Sequence, residues 1–354
     1  MSNNSSPQIK TTVPEEVLAA FGFQFASCHI IPFGTGLINR TWKLQSAEQS
    51  YIIQRINQQV FRHPEDIAFN MNLLAQYLEL HAPEYTFVAA LPGLNGQLMI
   101  HVGGDGYYRM FPFVEGSHTL EVLATPEQAY QAAKQFGRFT RLLDQFDVEQ
   151  LKTTIPSFHD LTLRYQQFLH SIESGLRQRI QEAGPLIQRL INYSNIVNQF
   201  ENIRRNPHFR KRVIHHDTKI SNVLFDGEGK GICVIDLDTV MPGLFISDLG
   251  DMMRTYLCPV SEEEKQIEKV QVRPEFYRAV RDGYFSEMQH VLNSEEGAQF
   301  FYAGQFMIYM QALRFLTDHL QGDVYYGATY AGHNLVRARN QLQLLDEYSR
   351  LSTE

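Results

Sequence analysis

Ahead of Gly116 the apolar residues come in short alternating runs, and beyond it they recur at helical spacing over long stretches. Ile30 to Phe33, Thr41 to Leu44 and Tyr51 to Ile56 are three strand-sized runs in succession. Pro64 to His81 then carries Ile67, Met71, Leu74, Leu78 and Leu80 with proline near its start, which predicts an amphipathic helix. Two more strands are expected at Gln97 to Val102 and Tyr107 to Val114, joined by Gly103-Gly104-Asp105-Gly106. Farther on, Thr125-Pro126-Glu127-Gln128 combines an N-cap threonine, proline at the first helical position and a glutamine that closes a capping box, and it opens a helix running to about Leu143. Helical patterns recur at Leu163 to Ile172, Pro185 to Arg204, Glu295 to Leu320 and Asn334 to Leu351.

Length and composition add bounds. The 354 residues exceed one typical hydrophobic core, so two subdomains are expected, and an apolar share of 44% with 20% charged residues supplies ample interior. A net charge of -8 argues against a nucleic-acid or anionic membrane surface as partner. No run approaches the length of a transmembrane helix. Met1 to Lys10 is polar and lacks the apolar core of a signal peptide, so a disordered tail is expected there. Cys28, Cys233 and Cys258 show no paired spacing, which fits reduced thiols in a cytoplasmic protein.

The densest chemistry lies in Ile214-His215-His216-Asp217-Thr218-Lys219-Ile220-Ser221-Asn222, followed by Val234-Ile235-Asp236. Val223 to Phe225 and Ile232 to Ile235 are β-prone runs around the glycine-rich turn Asp226 to Gly231, so they should pair as a hairpin. That pairing sets Asn222 opposite Ile235 and brings Asn222 and Asp236 to one end of the hairpin, with Asp217 on the loop leading in. Phosphoryl transfer from ATP needs this set: one carboxylate to take a hydroxyl proton, and an amide and a second carboxylate to hold Mg2+. Two oxygen ligands suit magnesium, which keeps its other positions for water and phosphate. Asp238, two residues on, is either a second metal contact or a solvated acid in a loop.

Other segments fit the same reading. Gly34-Thr35-Gly36 lets backbone amides approach phosphates, although a glycine pair between strands is also an ordinary turn. A kinase wants a cation on the third strand, and Arg55 is the candidate; alternation leaves open that Gln54 faces inward instead. The helical partner of that cation is equally open among Glu65, Asp66 and Asn70. Phe113 and Val114, ahead of Glu115-Gly116, suit a hinge that reads an adenine edge.

The run from His215 through Asn222, Ile235-Asp236 and Ser247-Asp248-Leu249-Gly250 resembles the aminoglycoside phosphotransferase and choline kinase group of small-molecule kinases. Within it, Gly34 to Thr41, Tyr51 to Asn57, Thr154 to Asp160, and Arg314 to Asp318 through Gly322-Asp323-Val324-Tyr325 to Leu335 resemble the N-acetylhexosamine 1-kinases. The resemblance implies an α+β, protein-kinase-like two-lobe fold with a small antiparallel-sheet N-lobe and a mostly helical C-lobe. The expected boundaries are 1–15 for the tail, 16–114 for the nucleotide-covering lobe and 115–354 for the catalytic lobe. It also implies ATP and Mg2+ as cofactors, Asp217 as base, Asn222 and Asp236 as metal ligands, and a sugar or amino sugar as the substrate partner. For His159, Asp160, Arg314, Asp318, Asp323 and Tyr325 it implies acceptor contact; Arg314 and Asp318, four apart, would otherwise be a surface ion pair. Asp248 is expected to cap a helix and brace the catalytic loop. Fold does not fix substrate, so an aminoglycoside, an amino alcohol or another sugar stays open, as does a non-catalytic nucleotide binder.

Overall fold

The computed structural model describes residues 12–34 and 38–351. The described residues divide into two compact units, one formed by those up to 79 together with 87–116, the other by 80–86 together with those from 117 to 351.

The first unit begins with helix α1 (Glu15–Ala20) and builds a sheet from β1 (His29–Pro32), β2 (Arg40–Gln45), β3 (Ser50–Arg55), β4 (Ile100–Val102) and β5 (Gly106–Pro112), with helix α2 (Pro64–His81) inserted after β3. All neighbours in the order β1-β2-β3-β5-β4 are antiparallel. Val13, Val17, Leu18, Trp42, Leu44, Ile53, Tyr108 and Met110 form the core on one face. Val13 lies inside the stretch expected to be a tail, and its burial ties residues 13–18 to the sheet. Directly paired residues share a face. Arg55, paired with Tyr108 and two residues from Ile53, therefore belongs to the core face, and Gln54, paired with Thr41 and Arg109, to the opposite one.

The second unit is mostly helical: α3 (Pro126–Leu142), α4 (Leu161–Ser174), α5 (Arg177–Glu182), α6 (Gly184–Asn192) and α7 (Asn195–Arg205) precede the short strands β6 (Arg212–Ile214), β7 (Val223–Phe225), β8 (Gly231–Val234) and β9 (Met241–Gly243). Helices α8 (Ile246–Tyr256), α9 (Pro274–Met288), α10 (Ser294–Gly297), α11 (Phe300–Leu320) and α12 (His333–Ser349) complete it. The Thr125 capping box is present as expected.

Two helices expected to be continuous are broken. At Tyr193 and Ser194 the backbone amides bond three residues back, to Leu190 and Ile191, and the tightened turn lets α7 restart in a new direction. Near residue 298, Asn293 and Glu296 cap a separate four-residue helix ahead of α11. Helix α8, absent from the pattern reading, is buried on nearly every side, so it shows no polar stripe to reveal its period. Its Gly250 meets α11 so closely that a Cβ there would lie 2.3 Å from the Ala303 carbonyl oxygen.

Candidate active site

Strand β6 pairs with β9 and delivers His215, His216 and Asp217 into a loop held by α8. The Asp248 carboxylate accepts from the backbone N–H of His215 at 2.9 Å and of His216 at 2.7 Å. Asp251 accepts from the Thr218 N–H at 2.9 Å, and the Thr218 hydroxyl donates to the Asp248 carbonyl at 2.9 Å. Asp248 thus braces the loop as expected but caps nothing, since it sits inside the first turn of α8. Burial pushes its carboxyl up to about 7 against the pull of the two N–H donors.

His215 is fully buried against Phe136 and Phe139. Its Nδ1 accepts from the Asp217 N–H at 3.3 Å, which leaves Nε2 to donate to the Ile235 carbonyl at 2.9 Å. Burial lowers its pKa, so the ring is a neutral strut between loop and hairpin. The Asp217 carboxylate is held by Asn222 Nδ2 at 3.2 Å and by Lys219 Nζ at 3.1 Å. Lys219 was not singled out in the sequence. Its signal was the spacing, two residues past Asp217 in a loop that turns back on itself. Burial would lower the Lys219 pKa, but Asp217 and Asp251 outweigh it and raise it, so the ammonium stays charged.

The hairpin has the expected register: the Ile235 N–H donates to the Asn222 carbonyl at 2.9 Å, and Val223 pairs with Val234. Asp236 leaves β8 in a left-handed conformation, φ 60° and ψ 62°. A β-carbon residue in that region carries strain, and such strain gathers at functional sites. Because Asn222 Nδ2 is engaged by Asp217, its Oδ1 is the group left for a cation. Among the described residues no cluster of three or more His, Cys, Asp or Glu side chains could hold a metal. Asp238 is 2% exposed, so it is not a solvated loop acid.

Beside this loop lies the set expected to meet the acceptor. His159 stacks on Phe158, with ring centroids 4.5 Å apart, and its Nδ1 is 3.3 Å from Nδ1 of His216. Arg314, on α11, lies over the rings of Phe158, Tyr325 and Tyr326 at 5.8, 5.8 and 5.4 Å. It forms no ion pair with Asp318. Asp318 is buried and accepts from the N–H groups of Tyr325 and Tyr326 and from Asn334 Nδ2. Asp323 pairs with Arg179 at 2.5 Å and accepts from Asn334. Asp160 caps α4 through the Leu163 N–H at 3.0 Å. These three acids are engaged by backbone and neighbouring side chains, His159 and Arg314 are half-buried, and Tyr325 is exposed.

The nucleotide-side expectations fall in the first unit. Thr35 and Gly36 lie outside the described residues, while Gly34 has φ +76°. The Phe113 ring sits under Lys43 Nζ, 3.4 Å from the centroid, and its N–H donates to the Ser50 carbonyl. Val114 follows it, half-buried, beyond the end of β5. The sheet places Arg55 on the core face and Gln54 on the opposite one. The Arg55 guanidinium is bound by the Asp105 carbonyl and, at 3.1 Å, by the Asp105 carboxylate, on the core face. The cation on the Gln54 side is Arg109, which donates to Gln54 Oε1 at 2.7 Å. Glu65, on α2, accepts from Tyr107, so no ion pair joins it to Arg55.

The model of the phosphotransferase enzyme family matches residues 29–289, well over half of the chain. Among solved structures, amicoumacin kinase in complex with AMP-PNP, Ca2+ and amicoumacin has 14% identity and a TM-score of 0.64, with 95% of each chain covered. A microcompartment-associated aminopropanol kinase has 16% identity and a TM-score of 0.64, again with 95% of each chain covered. Spectinomycin phosphotransferase in complex with ADP and spectinomycin has 16% identity and a TM-score of 0.57, covering 95% of this chain and 98% of its own. With the kinase-like fold, the braced Asp217 loop and the family match together, the chain belongs to the phosphotransferase enzyme family and is a small-molecule phosphotransferase.

Proposed function

We propose that this protein transfers the γ-phosphate of ATP to a hydroxyl of a neutral sugar, with the anomeric hydroxyl of an N-acetylhexosamine as the acceptor that fits best. The observation that carries the reading is the charge beside the catalytic loop. The His159 pKa is held well below 6.5 first by burial and then by the neighbouring His216 ring, Arg314, Arg254 and Arg164, and the three arginines among these are cations. An ammonium group on an aminoglycoside or amino alcohol would meet repulsion there, whereas a neutral ring gains from the aromatic faces of Phe158, Tyr325 and Tyr326.

In this reading Asp217 accepts the acceptor's hydroxyl proton as its oxygen attacks the γ-phosphorus and ADP leaves. Lys219 and Asn222 hold that carboxylate in place. Asn222 and Asp236 would hold Mg2+, which neutralises phosphate charge when bound. The anomeric hydroxyl is more acidic than other sugar hydroxyls, so a carboxylate base suffices. ADP release should be measured with N-acetylglucosamine, N-acetylgalactosamine, their methyl glycosides, an aminoglycoside and ethanolamine, with phosphorus NMR of the product. We expect a 1-phosphate from the free sugars and no turnover of the glycosides. Turnover of only the amine-bearing acceptors, or of a methyl glycoside, overturns the proposal.

A further inference from the structure

His216 occupies an unusual position. Its φ is +66°, its backbone N–H is fixed by Asp248, and it directly precedes Asp217. The ring is 6% exposed and packs on Gly243 of β9, where a Cβ would lie 2.6 Å from Cε1 and from Nε2. Only glycine leaves that space, so the ring's Nε2 edge is locked against β9. That buried nitrogen makes no full hydrogen bond, and the backbone groups bearing on the ring are the carbonyls of Pro242 and Met241. A lone pair turned toward carbonyl oxygens is repelled and an N–H is attracted, so the proton belongs on His216 Nε2.

The consequence passes to the next ring. His216 Nδ1 is then an acceptor, and its partner at 3.3 Å, His159 Nδ1, must be the donor. Burial keeps both rings neutral, and the charged groups that bear on the pair, Arg314, Arg254 and Arg164, oppose its protonation. A neutral imidazole has one proton, so His159 Nε2, on the other side of a half-buried ring, carries a bare lone pair. We propose that His216 is a positioning residue that fixes the tautomer of His159, and that His159 Nε2 accepts a hydrogen bond from a hydroxyl or amide N–H next to the acceptor's reacting oxygen. The sugar-kinase reading supplies only the name of that acceptor; the tautomer relay stands on the protein's own geometry.

The test has one arm in each. Imidazole 15N NMR of the labelled whole chain, with His159→Phe and His216→Gly for assignment, reads the tautomers directly. His159 should be protonated on Nδ1 and His216 on Nε2 near neutral pH, and His216→Gly should move the His159 proton to Nε2. In the kinetic arm, His159→Phe keeps the stack on Phe158 and should raise the acceptor KM about tenfold while the KM for ATP is unchanged. An acceptor analogue lacking the neighbouring donor should lose affinity with the wild-type enzyme and not with His159→Phe. A His159 proton on Nε2 in the wild-type protein overturns the inference, as does an acceptor KM within about twofold in the variant. If no sugar is turned over, the functional reading fails while the NMR arm still decides this one.

Discussion

The substitution His216→Asn separates a stability effect from chemistry. Burial first, and the neighbouring His215 next, lower the His216 pKa from 6.5 to about 3. The folded-state pKa is depressed for a base, so the folded protein refuses a proton that the unfolded chain takes up. Stability from this residue is present above the unfolded value and is lost as pH falls below it toward the folded value. At about pH 5 the unfolded chain lies ~1.5 units below its own pKa, so the loss is about 2 kcal/mol, against almost nothing at about pH 7.5. Asparagine tolerates the left-handed region and does not titrate, so the variant should fold and lack this dependence. Urea unfolding of both proteins at the two pH values measures the difference of differences. Wild type should lose about 2 kcal/mol more than the variant on acidification. A difference below about 0.5 kcal/mol would mean that His216 gains its proton in the folded state, and the argument from its burial would be wrong.

Asp217→Asn should lower turnover about a hundredfold or more while leaving the melting temperature and its ATP shift in place, and activity within about tenfold of wild type would refute the base assignment. Asp236→Ala should abolish the magnesium-dependent part of ATP binding, measured by calorimetry with and without Mg2+; an equal loss in Asp238→Ala would contradict the metal assignment. Lys219→Met should weaken the acceptor-dependent rate far more than ATP binding, because it removes the ammonium that steadies the Asp217 carboxylate. Unchanged kcat in that variant would remove Lys219 from the site.

The hairpin end was legible in the sequence because a strand period of two and a polar glycine turn leave one sensible register, and the Asn222–Ile235 bond realises it. The side of the sheet taken by Arg55 was not. Alternation offers two faces, and the choice was made by α1, a short helix whose packing on Trp42 and Ile53 no local pattern announces. The internal contacts of the acids expected to meet the acceptor were not legible for a related reason. Asp160, Asp318 and Asp323 are rich in contacts to backbone and neighbours, and a motif match cannot tell an acid that touches a ligand from one that anchors the loop beside it. His216 was invisible because a positive φ has no signature in composition when the residue is not glycine, asparagine or aspartate.

Gly250 joins the two halves of this chemistry. Through it α8 presses directly on the backbone of α11 at Ala303, and α8 carries the acids that hold the Asp217 loop while α11 carries Arg314 and Asp318. The contacts that hold the Asp217 loop and the helix that carries Arg314 and Asp318 thus meet at one seam. The 321–332 loop hangs from the far end of α11, bound by Asp318 and Asn334, with Val324 and Tyr325 open to solvent. A methyl group added at Gly250 would therefore meet backbone, 2.3 Å from the Ala303 carbonyl oxygen, whereas the open side chains of Val324 and Tyr325 leave room for change in the 321–332 loop.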